Sequence, residues 1–91
     1  MKPLPHEIVA YKKTPEFTQE TVPAGLLKNH QTKEGVWGEI IIISGKLQYT
    51  ISEPVSETVI LTSEKSGVVE PKVLHYITPL GNVRFYIEFS R

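Results

Sequence analysis

Cysteine is absent from this chain of 91 residues, and its absence excludes several kinds of protein. Disulfide-stabilised scaffolds, cysteine-ligated zinc domains, thiol redox enzymes and cysteine nucleophiles all need at least one thiol. The chain also lacks the G-x-S-x-G nucleophile motif, the phosphate-binding P-loop and the dinucleotide motif G-x-G-x-x-G. Motifs therefore identify no catalytic residue, and our leading expectation is a chain without catalysis of its own.

An excess of charge of either sign is missing as well. Ten Lys and Arg residues balance ten Asp and Glu residues, so the formal net charge is zero. Nucleic-acid-binding proteins usually carry a basic patch, so we expect no nucleic-acid partner. The longest apolar run, Ile40–Ile43, is far shorter than the roughly 20 residues that cross a bilayer. No signal peptide is visible, so we expect a cytoplasmic protein without a membrane partner.

Helical spacing of apolar residues is almost absent, and seven prolines interrupt the chain too often for long helices. Strand patterns are strong instead. Leu47, Tyr49 and Ile51 alternate with polar residues, and the segment 83–90 alternates in the same way. These segments predict strands that each bury one face.

Several short strands joined by turns predict an all-β fold, an antiparallel sandwich or barrel. The run Ile40–Ile43 does not alternate, so we expect both of its faces to be covered. Ser44 and Gly45 then predict a tight hairpin. The length predicts a single domain over residues 1–91, with an irregular N-terminal arm at 1–22 and a barrel at 23–91.

The three histidines are the first candidates for chemistry. His6 lies in a proline-flanked segment and is interpreted as a surface histidine. His75 shares strand parity with Val73 and Ile77. It is therefore either a buried, hydrogen-bonded structural histidine or a ligand or acid–base group.

Glu39 opens the isoleucine strand and is a candidate metal ligand beside His30 and His75. Two imidazoles and one carboxylate would suffice for a zinc or iron(II) site with open positions, if the fold brings them together. Trp37 is the only tryptophan, and we interpret it as a core or lid residue rather than a platform for a ligand.

Two sequence boxes resemble a known family. The first box contains Thr32-Lys33, Gly35, Trp37-Gly38, Gly45-Lys46-Leu47 and Tyr49, and the second contains Glu70-Pro71 and His75. Together with the segment that ends at His30, they resemble the N-terminal cupin-like domain of the tellurite-resistance protein B family. Small stand-alone proteins of unknown function belong to the same group. The resemblance covers about residues 11–89, nearly the whole chain.

The resemblance implies a small cupin barrel, a double-stranded β-helix, in which His30 and His75 face the cavity. Cupins in general place two histidines and a glutamate in their first motif, whereas this chain has only His30 there. Longer relatives join this domain to an S-adenosylmethionine-dependent methyltransferase. That part is not in this sequence, so we expect no methyltransferase activity from this chain.

Three hypotheses about function follow. The leading one is a tellurite-resistance-associated, cupin-like binding module that holds a small molecule or anion near His30, Trp37, Tyr49 and His75. The second is a metal-dependent cupin enzyme of the oxygenase or isomerase type, with zinc, iron or nickel on His30, His75 and a third donor such as Glu39 or His6. The third is a structural or oligomerisation domain, because a chain this small gains stability from forming a homo-oligomer.

Overall fold

The computed structural model of the chain describes all 91 residues, Met1–Arg91, and contains eight strands and one short helical turn. The elements are β1 (Ala10–Lys13), β2 (Phe17–Thr18), a 3-10 helix (Ala24–Leu27), β3 (Trp37–Ser44), β4 (Leu47–Glu53), β5 (Glu57–Leu61), β6 (Gly67–Val69), β7 (Leu74–Pro79) and β8 (Arg84–Ser90). None of the helical structure is long and apolar enough to cross a membrane. The predicted all-β class is confirmed.

The strands form two antiparallel sheets. The five-stranded sheet has the order β1-β8-β3-β6, with β2 also paired to β8, and the three-stranded sheet has the order β5-β4-β7. The sheets do not join into a closed barrel, so the barrel expectation is wrong in this respect. Residues 1–22, expected to be an irregular arm, contribute β1 and β2 to the larger sheet.

The core lies between the two sheets, where the alternating residues of each strand meet. Leu47, Tyr49 and Ile51 of β4 are buried, while the polar residues between them face outward. Val83 and the alternate residues of β8 pack against them from the larger sheet. The predicted alternation of these two segments is confirmed, because burying one face of a strand requires a period of two.

The isoleucine run alternates in structure although it does not alternate in sequence. Ile40 and Ile42 point into the core and are 1% and 4% exposed, whereas Ile43 is 40% exposed on the outer face. The expectation that both faces of this run are covered is therefore wrong. Ile41, on the same outer face as Ile43, is only partly buried.

The predicted hairpin at Ser44–Gly45 is also wrong, because β3 and β4 belong to different sheets. Gly45 instead carries the chain from one sheet to the other with a φ of +82°, and a Cβ there would lie 2.9 Å from the Cα of Val83. Gln19 closes the same end, since its side chain accepts a hydrogen bond from the Val83 amide (2.9 Å) and donates one to Asn82 Oδ1 (3.0 Å). We call this the closed end of the sandwich.

Candidate functional site

His30 and His75 meet at the opposite end of the sandwich, where they form a hydrogen-bonded backbone pair. The amide of each residue donates to the carbonyl of the other, and both N···O distances are 2.9 Å. His75 lies in β7, and His30 follows the 3-10 helix, which lies against β7 and packs Leu26 on the core. The fold therefore brings the two predicted histidines together, and we call them the histidine pair.

The rings of the histidine pair are in direct contact. Their centroids are 4.1 Å apart and their planes are inclined by 56°. His30 Nδ1 lies 2.9 Å from the carbonyl oxygen of Lys28, and His75 Nδ1 lies 2.9 Å from that of Val73. A carbonyl oxygen can only accept, so each Nδ1 carries the hydrogen and donates it. Each Nε2 of a neutral ring is then left with a lone pair, and the pair presents two hydrogen-bond acceptors.

His75 is held in its neutral form by its surroundings. Only 3% of the residue is exposed, and this burial lowers the pKa of the imidazole to about 4. The hydrogen bond to Val73 acts in the opposite direction, and His30 adds to the lowering. At neutral pH the ring is therefore an uncharged acceptor, because burial in a poorly polarisable environment disfavours the imidazolium.

Tyr49 forms the wall behind His75. Its side chain is fully buried, its ring centroid lies 5.6 Å from that of His75, and its hydroxyl donates to the carbonyl oxygen of Val68 at 3.2 Å. Burial raises the pKa of this hydroxyl above its usual value, with smaller contributions from Glu70 and Glu57. Tyr49 supports His75 and links the two sheets, and it does not line open space.

A cavity of about 360 Å³ opens between the sheets at the histidine pair. Most of its walls are apolar: Ile40, Val69, Ile87 and Phe89 come from the larger sheet and Ile77 from the smaller one. Fourteen residues line it, and Lys12 and Lys33 are the only Lys, Arg, Asp or Glu residues among them. No acidic residue is among them, so the local charge at this end is positive although the whole chain is neutral.

The segment from Thr32 to Val36 forms one wall of the cavity. Thr32 Oγ1 donates to the Val36 carbonyl oxygen at 2.8 Å, and the Val36 amide donates to the Lys33 carbonyl oxygen at 3.0 Å. Gly35 completes the turn with a φ of +80°, a backbone conformation that residues other than glycine rarely adopt. The Thr-Lys-Glu-Gly box of the sequence thus has a structural explanation, because it shapes a tight loop beside the histidine pair.

Glu39 and Trp37 do not reach the histidine pair. They have the parity opposite to that of Ile40, so they lie on the outer face of β3, where Ser66 Oγ donates to Glu39 Oε2 at 2.8 Å. The predicted metal set of His30, His75 and Glu39 is not assembled, and no group of three or more His, Cys, Asp or Glu side chains is placed to hold a metal ion. Trp37, a member of the predicted ligand-binding set, does not line the cavity.

Sequence reasoning missed the two lysines of the cavity. Nothing in the local sequence connects Lys33 with Lys12. The parity of Ile87 and Phe89 in β8 could have placed them on the core face beside His75. No sequence signal places β1 at the same end of the sandwich.

Curated relatives of the chain are methyltransferases by name. Two proteins of Haemophilus influenzae, from strains ATCC 51907 / DSM 11121 / KW20 / Rd and 10810, are each 28% identical over 81 residues. Each is named "Probable S-adenosyl-L-methionine-dependent methyltransferase TehB". The aligned region is 85% of this chain and 28% of each relative, so the chain spans less than a third of their length.

Two solved structures have the same fold. The crystal structure of TehB from Haemophilus influenzae superposes with a TM-score of 0.85 at 29% identity, covering 93% of this chain and 32% of that one. A crystal structure of an Escherichia coli (strain K12) protein, a structural genomics target, gives a TM-score of 0.89 at 22% identity. It covers all of this chain and 97% of the other, so in that protein the fold makes up nearly the whole chain.

These findings overturn the predicted function. The cupin-like module for a small molecule or anion and the metal-dependent cupin enzyme are not supported, since the relatives are named methyltransferases. A family model described as "TehB-like domain" matches residues 12–87, most of the chain. The chain belongs to the TehB-like family.

Proposed function

We propose that the chain acts in S-adenosylmethionine-dependent methyl transfer, as a β domain that works together with a methyltransferase unit. The observation that carries this proposal is the relationship to TehB, which covers 85% of this chain but only 28% of the relatives. More than two thirds of each relative therefore lies outside the region that this chain matches. In this proposal the two-sheet domain assists methyl transfer. The part of each relative outside the matched region carries out the transfer itself.

The structural likeness supports the presence of such a domain in the longer protein. The fold is retained at a TM-score of 0.85 in the crystal structure of the longer protein, so the same two sheets exist beside a larger polypeptide there. Shape alone would not select a function, because one fold serves many purposes. The proposal therefore depends on the family and on the name of the relatives, and the fold agrees with both.

A domain exchange in Haemophilus influenzae TehB tests the proposal. The matched segment of TehB is replaced by this chain, and a second variant lacks the segment altogether. Release of S-adenosylhomocysteine is measured with tellurite, the acceptor that the family resemblance implies. We expect the exchanged protein to retain most of the activity and the shortened one to lose it. Equal activities of the two variants, both folded and both binding S-adenosylmethionine, would contradict the proposal.

We also propose that the sandwich is an open form of the cupin double-stranded β-helix, working as one domain in the cytoplasm. Two observations support the open double-stranded β-helix. Consecutive strands change sheets at the Gly45 and Gly81 turns, and the cavity lies between the sheets at one end. Formation of a homo-oligomer stays a prediction, which a measurement of molar mass in solution at micromolar concentration tests.

A further inference from the structure

The cavity beside the histidine pair is lined by three chemical kinds of side chain. These are the two imidazoles, of which His75 is buried, a set of apolar side chains, and two exposed lysines. Each kind restricts what can occupy the cavity, and the three restrictions together describe one kind of group.

In their neutral forms the two imidazoles accept hydrogen bonds through Nε2 and do not donate them. Both Nδ1 hydrogens are used by backbone carbonyls at 2.9 Å, so only the Nε2 lone pairs of His30 and His75 remain. Thr50 Oγ1 is the only side-chain polar atom of the chain that is both fully buried and without a partner. The Nε2 of His75 is therefore not sealed in the core but reaches the cavity. Two lone pairs repel an anion and favour an N–H or O–H donor.

The apolar side chains of the cavity favour a flat apolar group. Ile40, Ile77 and Ile87 supply branched aliphatic walls from both sheets, and Phe89 supplies an aromatic one. A volume of about 360 Å³ is at the small end of the range for ligand pockets. One aromatic ring system fits in such a space, and its burial would contribute most of the binding energy.

The rim favours a negative charge. Lys12 and Lys33 line the cavity, both are exposed, and neither takes part in an ion pair of the chain. No acidic residue lines the cavity to neutralise them. A carboxylate held above an aromatic ring would meet these two ammonium groups without approaching the imidazole acceptors.

We propose that the cavity is a docking site for a tryptophan or tyrosine side chain next to an acidic residue, presented by the methyltransferase polypeptide. The ring N–H or O–H points at the histidine pair, and the acidic side chain lies at Lys12 and Lys33. The identity of the partner rests on the proposed function. Two features favour a polypeptide: the charge complementarity at an open rim, and the large part of the relatives that lies outside the matched region.

Short peptides test the chemistry of the cavity directly. The probe is acetyl-Gly-Trp-Asp-Gly-amide, titrated into the whole chain and followed by amide-detected NMR. We expect saturable shifts at His30, His75 and Thr32. A matched peptide with 1-methyltryptophan lacks the ring donor and should bind roughly three- to tenfold more weakly, the effect of one neutral hydrogen bond. A peptide with Asn for Asp should bind about two- to fivefold more weakly.

Three peptide results would overturn the proposal: no saturable binding, equal binding of the methylated peptide, or shifts remote from the histidine pair. Free N-acetyltryptophan is a further arm. If it binds much more tightly than the peptide, the cavity is a site for free aromatic acids and the polypeptide partner is wrong.

Protein variants provide the complementary test. The double variant Lys12→Gln/Lys33→Gln changes only exposed side chains, so it should fold normally and bind the Asp and Asn peptides equally. His30→Phe keeps a ring of similar size but removes one of the two Nε2 acceptors, and it should reduce the preference for the unmethylated peptide over the methylated one. Lys46→Gln removes an exposed lysine at the closed end and serves as the matched control. A preference for the Asp peptide that persists in the double variant would contradict the role of the rim.

The domain exchange separates this inference from the proposed function. If the exchanged TehB is active and the double lysine variant leaves that activity and domain docking unchanged, the docking site is wrong while the function stands. If every exchanged protein is inactive but the tryptophan peptide still binds at the histidine pair, the proposed function and the methyltransferase partner are wrong. In that case the assigned chemistry of the cavity stands.

Discussion

The two ends of the sandwich differ in how the sheets meet. At the closed end, the backbone of Gly45 packs on that of Val83. The Gln19 side chain also forms hydrogen bonds with the Asn82 side chain and the Val83 amide. At the other end the sheets separate around a cavity, and the histidine pair joins them by two amide hydrogen bonds. Tight packing at one end supplies stability, which allows the open end to keep unpaired acceptors and uncompensated positive charge.

The largest effect should come from Gly45→Ala, which would break the closed end. Residue 45 has a positive φ, which alanine adopts only with strain. The added Cβ would also overlap the Asn82–Val83 backbone, which cannot move aside as a side chain can. We expect a loss of at least about 3 kcal/mol in the free energy of unfolding, measured by urea denaturation. Gly81→Ala is the matched control, since φ is +81° but the space is open. It should cost only about 1–2 kcal/mol. Equal losses would show that the closed end is not tightly packed.

A drop in pH should weaken the open end through His75. Its pKa is about 4 when folded, below the ordinary value of about 6.5. Above pH 6.5 the ring is neutral in both states and contributes no pH dependence. As the pH falls from 6.5 to 4 the unfolded chain takes up the proton first, so stability decreases by roughly 3 kcal/mol.

The measurement is the free energy of unfolding against pH for the wild type and for His75→Phe, because carboxylates titrate in the same range and cancel in the difference. The variant should show a shallower decline between pH 6.5 and 4. His6→Gln removes an exposed histidine and should leave the wild-type curve unchanged. Parallel curves for the wild type and His75→Phe would disprove the burial of a neutral ring.

The smallest effect should come from Thr32→Val, which removes the hydrogen bond to the Val36 carbonyl in the cavity wall. We expect a loss of about 1 kcal/mol, because the carbonyl is partly buried. Amide exchange at Val36 should become faster as well. Thr58→Val, on the exposed outer face of β5, is the control and should change stability by less than about 0.5 kcal/mol. Unchanged exchange in Thr32→Val would mean that the loop is held by other contacts.

The same contrast explains what could be predicted from sequence. Strands such as Leu47–Glu53 were predictable because one buried face imposes a period of two. The Gly45 turn was predictable as a turn, but turn chemistry does not say which strand pairs with which, so the hairpin was wrong. Four successive isoleucines hid the parity of β3, so the face on which Glu39 lies could not be predicted.

The histidine pair was expected from the family resemblance and not from residue spacing. Its geometry depends on the 3-10 helix, which has no side-chain cap and follows Pro23 without a helical pattern in the sequence. The positive charge at the cavity could not be predicted either, because it depends on which strands pair. Lys12 and Lys33 lie on segments that meet only because β1 pairs with the end of β8.

The backbone bridge between His30 and His75 has a kinetic consequence. Two main-chain hydrogen bonds hold the residues together, and the Nδ1 hydrogen bonds to Lys28 and Val73 orient both rings. Widening the cavity at this point requires local unfolding of the segment that follows the 3-10 helix, an event that hydrogen exchange at these two amides reports. A partner therefore meets acceptors whose positions were set when the chain folded, and association loses little conformational entropy on this side of the interface.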